Sequence, residues 1–266
     1  MATSKFTGKT VWITGASSGI GEALAKRFAS AGSRLILSAR RENELQRVAR
    51  LCSNAASVSI LPLDLSRPDS MGSAVQQALS SSGHIDVMVH NAGISQRAFA
   101  SDTNFEVDER LMRTNYLGPV ALTKALLPSM RERRQGQFIV VSSVLGKLGV
   151  PGRSGYCASK HALHGFFDTL RAELSQEGIE VLLVLPGWVR TNVSLNSLTG
   201  DGSPHSKMDP GTASGMTAEE CAARIVSAAE AGRDEIHPVR ITERLALEVN
   251  RLAPALFRRI IRGRKI

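Results

Sequence analysis

Cysteine is scarce in this chain. The three that occur, Cys52, Cys157 and Cys221, are odd in number and widely spaced. None belongs to a C-x-x-C arrangement, so neither a disulfide framework nor a zinc site is expected, and reduced thiols are the plain reading. His161 and His164 lack carboxylate or cysteine partners at ligand spacing, so no metal is expected there either. Long apolar runs are missing too. No stretch approaches the ~18 uninterrupted apolar residues of a membrane span. The start Met1-Ala2-Thr3-Ser4-Lys5 leads into no apolar signal region, which makes the cytoplasm the expected compartment. Acids are absent from residues 251–266, where Arg251, Arg258, Arg259, Arg262, Arg264 and Lys265 hold all but three of the net +9 charge. Basicity so confined belongs to the tail, and nucleic acid is not expected as a partner.

What the chain does have is alternation. Apolar runs at 10–13, 35–37, 58–61, 87–89, 138–141 and 181–184 read as buried parallel strands. Amphipathic segments at 22–31, 42–52, 69–81, 106–116, 120–133 and 156–177 read as helices between them. With 266 residues, 42% apolar, and no internal repeat, this pattern predicts one α/β domain over 1–266: a doubly wound, Rossmann-type parallel sheet with helices on both faces. In such sheets ligands bind at the carboxyl ends of the strands. From 191 to 217 the periodicity fails and Gly, Ser, Asn and Pro take over, which predicts a substrate-binding loop.

Directly after the first strand stands Thr14-Gly15-Ala16-Ser17-Ser18-Gly19-Ile20-Gly21, opening a helix. Glycines there let the backbone turn tightly against a pyrophosphate, whose charge the free N–H groups of the helix start would hold. The spacing is G-x-x-x-G-x-G rather than G-x-G-x-x-G. After the second strand, where an acid would hold the ribose hydroxyls of NAD, the chain reads Ser38-Ala39-Arg40-Arg41-Glu42. Two arginines suit a 2′-phosphate, so NADP(H) is expected over NAD(H), and Glu42 fits better as a first-turn acid on the helix dipole.

Tyr156 and Lys160 stand four apart, with Ser143 thirteen positions upstream of the tyrosine. On a helix, i and i+4 share a face, so an ammonium can sit beside a phenol. Bringing a tyrosine from its ordinary ~10 to about 7 takes roughly 4 kcal/mol of preference for the phenolate. A cation ~6 Å away at an effective dielectric of ~20 supplies on the order of 3 kcal/mol, and an oxidised nicotinamide would add a second charge. Cys157, next to Tyr156, points elsewhere on the helix and is assigned to packing, as is Ser142 beside Ser143 on its strand.

These residues, with Asp64 in Leu63-Asp64-Leu65, Asn91-Ala92-Gly93, Asn115, and Pro186-Gly187 followed by Thr191, make the chain resemble the short-chain dehydrogenase/reductase family over nearly its whole length. The segment 91–173 is similar to that family's member 7B branch. The resemblance implies a seven-stranded sheet and a site in which Tyr156 is the acid/base and Ser143 holds the substrate oxygen. Lys160 would bind the nicotinamide ribose and lower the tyrosine pKa, and Asn115 would link to Lys160 through a water in a proton relay. It implies that Gly15, Ser17, Ser18, Gly19, Ile20 and Gly21 cradle the cofactor, that Arg40, Arg41, Asp64 and Leu65 meet its adenosine end, and that Asn91, Ala92 and Gly93 support it. Pro186, Gly187, Val189 and Thr191 would frame the nicotinamide. His90 departs from the family's usual asparagine, a change expected at a strand-end hydrogen bond and not in the chemistry.

The expected activity is NADP(H)-dependent reduction of a carbonyl or oxidation of a secondary alcohol. Leu145, Leu148, Val150 and Trp188 would make an apolar pocket for a hydrophobic or lipid-like small molecule, with Arg153 either binding an anionic group or facing water. The alternative is a catalytically weak redox sensor that binds NADP(H) and acts through a protein partner, which would need no complete Asn, Ser, Tyr and Lys set. A homodimer or homotetramer through the helix of Tyr156, with Phe166, Phe167 and Leu170, is a further implication of the family. Residues 241–266 read as a basic amphipathic extension in which Leu245, Val249, Leu252, Leu256 and Ile260 recur at helical spacing. They either pack on the domain or touch a membrane surface peripherally.

Overall fold

The structure, a computed structural model, describes residues 4–263. Seven strands form one parallel sheet in the order β3-β2-β1-β4-β5-β6-β7. They are β1 (Thr10–Thr14), β2 (Arg34–Ser38), β3 (Ser57–Ile60), β4 (Val87–His90), β5 (Gly136–Val141), β6 (Ile179–Val184) and β7 (Glu235–Ile236). The helices are α1 (Gly19–Ser30), α2 (Glu42–Leu51), α3 (Met71–Ser82), α4 (Phe105–Met112), α5 (Gly118–Arg133), α6 (Ser154–Glu173), α7 (Pro210–Ala213), α8 (Ala218–Glu230), α9 (Ile241–Leu252) and α10 (Pro254–Arg262).

Two apolar layers enclose the sheet because side chains alternate along each strand. Val11 and Ile13 face a layer built from α1, α2 and α8, whereas Trp12 between them faces α3, α5 and α6. The central strands β1, β4 and β5 are buried along their whole length, which is why they read as continuous apolar runs. Trp12 meets its one polar need by donating from Nε1 to Ser38 Oγ at 2.8 Å.

The strand order reverses direction from β1, going to β2 and β3 on one side and to β4 on the other, so a crevice opens above the carboxyl ends of β1 and β4. Asn91, just past β4, fastens its rim: its side chain donates to the carbonyls of Thr14 and Gly15 at 3.0 and 3.3 Å. His90 is buried, bonded through Nε2 to Thr123 Oγ1 at 2.8 Å and stacked near Phe138, and burial drives its pKa down to about 3. It is a neutral core residue at physiological pH, as its strand-end position suggests.

Three expectations change. The helices expected at 106–116 and 120–133 do not stop between: a π turn, Arg113–Leu117, joins α4 to α5 and carries Asn115. The helix of Tyr156 starts at Ser154 and ends at Glu173, short of 177. Phe167 and Leu170, expected at a subunit interface, are buried in the chain's own core, and Phe166 packs edge-on against Phe167 and Tyr116.

Candidate active site

The glycine-rich turn sits in the crevice. A side-chain carbon on Gly21 would lie 2.2 Å from the Gly15 carbonyl oxygen, so the turn closes only without one. Ser18 precedes α1 with extended backbone, and its side chain caps none of the helix's first N–H groups. Those donors stay open toward a cleft of about 400 Å³ lined by Ser17, Ser18, Gly19, Arg41, Arg190 and Thr191. Open donors at a helix start, arginines around them and a turn with no room for Cβ fit a pyrophosphate. Arg40 and Arg41 at the end of β2 are exposed and, among the described residues, neither has a carboxylate partner. Arg47, which sequence reading passed over, closes the cleft's wall by pairing with Glu22 at 2.7 Å and donating to the Ser17 carbonyl at 3.2 Å.

Further along, burial would raise the pKa of Asp64, but hydrogen bonds from Ser66 and the nearby charges of Arg40 and Arg67 outweigh it and hold the carboxyl ionised. Leu65 is buried beneath it. Asn91 and Gly93 line the adjoining pocket with Ile20, while Ala92 N–H approaches Thr14 Oγ1 at 3.3 Å. Pro186, Gly187, Val189 and Thr191 line the same pocket. Thr191 lines both cavities, which joins Ser17, Ser18, Gly19 and Arg41 on the cleft to Ile20, Asn91, Gly93, Pro186, Gly187 and Val189 on the pocket, whereas Arg40, Asp64 and Leu65 line neither.

Ser143, Tyr156 and Lys160 converge in that pocket, which measures about 860 Å³. Ser143 follows β5 and accepts from Leu145 N–H at 3.1 Å, which fixes the oxygen and leaves its proton to donate. Lys160 is buried, with Nζ donating to the Val141 carbonyl at 3.0 Å and standing 5.9 Å from the Tyr156 ring centre. Burial pushes its pKa down to about 8. Burial also pushes the Tyr156 phenol up from its ordinary value, while Ser143 and the more distant Arg97 and Arg153 pull the other way. In the free protein desolvation of the phenol is thus the larger effect; the lowering expected from the sequence joins Lys160 to the charge of an oxidised nicotinamide, and the chain by itself supplies only the first.

Asn115 is buried in the π turn, and its side chain makes no direct hydrogen bond to Lys160. Oδ1 accepts from Ile94 N–H at 2.9 Å, and Nδ2 donates to Ile94 O and to Ser159 Oγ, both at 2.9 Å. Ser159 in turn donates to the Tyr156 carbonyl at 2.8 Å. The side chain thus braces the catalytic helix against the loop after β4, and its Oδ1 shares with Lys160 Nζ the space over Gly93, where a side-chain carbon would stand 3.3 and 3.4 Å from them. Ser142 donates to the Lys160 carbonyl at 3.3 Å, a structural role as expected.

Arg153 does not face water but lines the pocket, where it shares one carboxylate with Arg97. It is buried, donating to Gln96 O at 2.9 Å and to Asp209 at 3.2 Å, and burial beside Arg97 lowers its pKa to about 10. Arg97, also buried, forms a two-pronged pair with the same Asp209. Gln96 next to it accepts from Gly155 N–H at 2.9 Å and Tyr156 N–H at 3.4 Å, capping the catalytic helix from outside its own segment. Gln96, Arg97 and Asp209 escaped sequence reading because the contacts join positions far apart in the chain. The one available signal was a dense polar run, Ser95-Gln96-Arg97, where a strand had just ended. Asp209 belongs to the irregular stretch 191–217, which folds back through bridges from Gln96 to Leu198 and from Val189 to Met216.

Leu145, Leu148, Val150 and Trp188 line the pocket as expected. Its remaining wall was not expected: α9 and α10 supply Ala246, Phe257 and Ile261, packing on Val144 and Leu148. Of the stripe read from sequence only Val249 turns inward, whereas Leu245, Leu252, Leu256 and Ile260 are exposed.

A doubly wound sheet with a pyrophosphate cleft leading to a serine, tyrosine and lysine defines an oxidoreductase of the dinucleotide-dependent class. The sequence model described as short chain dehydrogenase matches residues 9–200. A dehydrogenase/reductase SDR family protein 7-like of Anopheles gambiae is 46% identical over 97% of this chain and 83% of its own. Dehydrogenase/reductase SDR family member 7B of Xenopus laevis is 44% identical over 96% of this chain and 81% of its own. The crystal structure of a short-chain dehydrogenase/reductase from Burkholderia phymatum shares the fold, with a TM-score of 0.84 at 22% identity over 96% of both chains. A short-chain dehydrogenase from Streptomyces avermitilis superposes at 0.79 with 28% identity over 98% of this chain and 100% of its own. This chain belongs to the short-chain dehydrogenase/reductase family of oxidoreductases.

Proposed function

We propose that the protein is an NADP(H)-dependent oxidoreductase that reduces a carbonyl or oxidises a secondary alcohol on a hydrophobic, lipid-like molecule. The observation that carries this reading is the convergence of Ser143, Tyr156 and Lys160 in a large, mostly apolar pocket that adjoins the glycine turn. When bound, the cofactor supplies or accepts the hydride. Ser143 and Tyr156 hydroxyls hydrogen-bond the substrate oxygen, and in reduction the phenol gives it a proton. Lys160, held by the Val141 carbonyl, keeps a positive charge beside the phenol as that proton leaves. Phe257, Ile261 and Trp188 exclude water from the reacting centre and favour an apolar substrate body.

The choice of NADP(H) is supported by the exposed Arg40 and Arg41, which have no carboxylate partner among the described residues; the Burkholderia relative was solved in complex with NAD. The sensor alternative is disfavoured because a binding module needs no buried lysine set against a phenol. We place the enzyme on the cytoplasmic side, and no helix among the described residues is long and apolar enough to cross a membrane. Self-association as a homodimer or homotetramer belongs to the same proposal, with Phe105 and Leu117, 77% and 41% exposed, as its apolar contacts in place of Phe167 and Leu170. Light scattering after gel filtration tests it, and a monomer at micromolar concentration rejects it.

The deciding assay follows NADPH oxidation against a panel of carbonyl compounds. Tyr156→Phe is expected to bind NADPH normally and to lose turnover by about 10²- to 10⁴-fold. A variant retaining near wild-type rate would remove the acid from the scheme.

A further inference from the structure

We propose that α9 and α10 are a two-faced roof that seats the pocket mouth on an anionic lipid surface. The inner face is already in use: Ala246, Phe257 and Ile261 line the pocket, and Glu243 and Leu247 are buried beside them. The outer face has no partner among the described residues. Ile241, Leu245 and Leu252 recur at intervals of four and seven on α9 and are 75%, 58% and 73% exposed. Leu256 and Ile260 continue the spacing on α10 at 50% and 59%. Large aliphatic residues scattered singly on a surface need no explanation, whereas five at helical spacing on adjoining helices do.

Charge selects the occupant. Arg244, Arg251, Arg258, Arg259 and Arg262 are exposed on the same two helices. Among the described residues only Arg251 has a carboxylate partner, Glu248 at 2.8 Å. A second copy docked about a two-fold axis would bring one arginine cluster against the other. A nucleic acid would neutralise the arginines and leave the leucines in water. A bilayer with anionic headgroups satisfies both, because aliphatic side chains enter the acyl boundary while guanidiniums pair with phosphates. The inner face makes this more than adhesion. A roof that lies on the bilayer holds the apolar pocket next to apolar molecules dissolved there, a consequence that rests on the function proposed above.

Sedimentation of the full chain with vesicles tests the docking independently of any activity. Phosphatidylcholine vesicles in which about a third of the lipid is phosphatidylserine are expected to carry the protein down, and pure phosphatidylcholine to carry little. Leu252→Asp with Leu256→Asp, and separately Arg258→Glu with Arg259→Glu, are expected to cut binding at least about tenfold. Melting by circular dichroism confirms that these surface variants fold. Equal sedimentation of wild type and both variants, or none by the wild type, overturns the proposal. So does self-association lost in the leucine variant without vesicle binding, which would assign the face to a second copy. With a carbonyl lipid embedded in anionic vesicles, the variants should turn over at least fivefold more slowly than wild type while matching it on a water-soluble carbonyl. Equal rates on both substrates would overturn the delivery role. If no carbonyl is reduced by any form, the functional reading fails and the vesicle result still decides the docking.

Discussion

Tyr156 and Lys160 do not arrive in the site with their chemistry finished. Both are desolvated, and in the free enzyme burial holds Lys160 at about 8 with the phenol above its ordinary value. Reduction needs the lysine charged and the tyrosine protonated, and both conditions are lost as pH rises. The reductive kcat/KM for the cofactor, which reports groups in the free enzyme, is expected to fall as pH climbs through about 8. Lys160→Arg, which keeps its charge, should move that falling limb upward in any variant that still binds cofactor. A profile flat to about 10 would show that the lysine keeps its proton in the buried site. Arg40 and Arg41 make a second test at this scale. Replacing both by alanine is expected to raise the KM for NADPH about 10- to 100-fold and that for NADH little, because a phosphate dianion loses two charge-assisted partners. Tyr156, Lys160, Ser143 and the glycines could be read from sequence because each needs only its own type at its own spacing. Gln96, Arg97 and Asp209 could not, since what makes them matter are contacts between positions 59 and 112 apart.

At the scale of elements, the central strands were legible for a simple reason. A parallel strand covered on both faces is apolar throughout, and β1, β4 and β5 are. β7 was not, being two half-buried residues at the sheet edge, and neither was the π turn, which leaves amphipathic periodicity almost undisturbed. The packing between α5 and the segment after β3 is tight enough to test. A side-chain carbon on Gly118 would stand 2.4 Å from the Leu65 carbonyl oxygen, so Gly118→Ala is expected to cost about 1–3 kcal/mol, read from the urea midpoint. The loop at 191–217 offers another. Besides its backbone bridges, it is held to the body by Asp209, which pairs with Arg97 and Arg153. Asp209→Asn leaves two buried guanidiniums without a carboxylate. It should raise the KM for the carbonyl substrate about tenfold and open the loop to limited proteolysis. An uncut loop with unchanged KM would show that the arginines hold it by other means.

For the molecule as a whole, the sheet and its two helical layers form a core to which the substrate side is added in separate pieces. The tail's amphipathic character was visible in the sequence, but not its division into an inward and an outward face, because Phe257 and Leu247 gain their meaning only against Val144 and Leu148. α9 and α10 follow all seven strands in the chain. During synthesis the sheet can therefore close, and the glycine turn can take its shape, while the pocket still lacks the wall that keeps water out. On the function proposed above, the cleft for the cofactor would be formed before the apolar wall over the substrate, in the order in which the ribosome releases their parts.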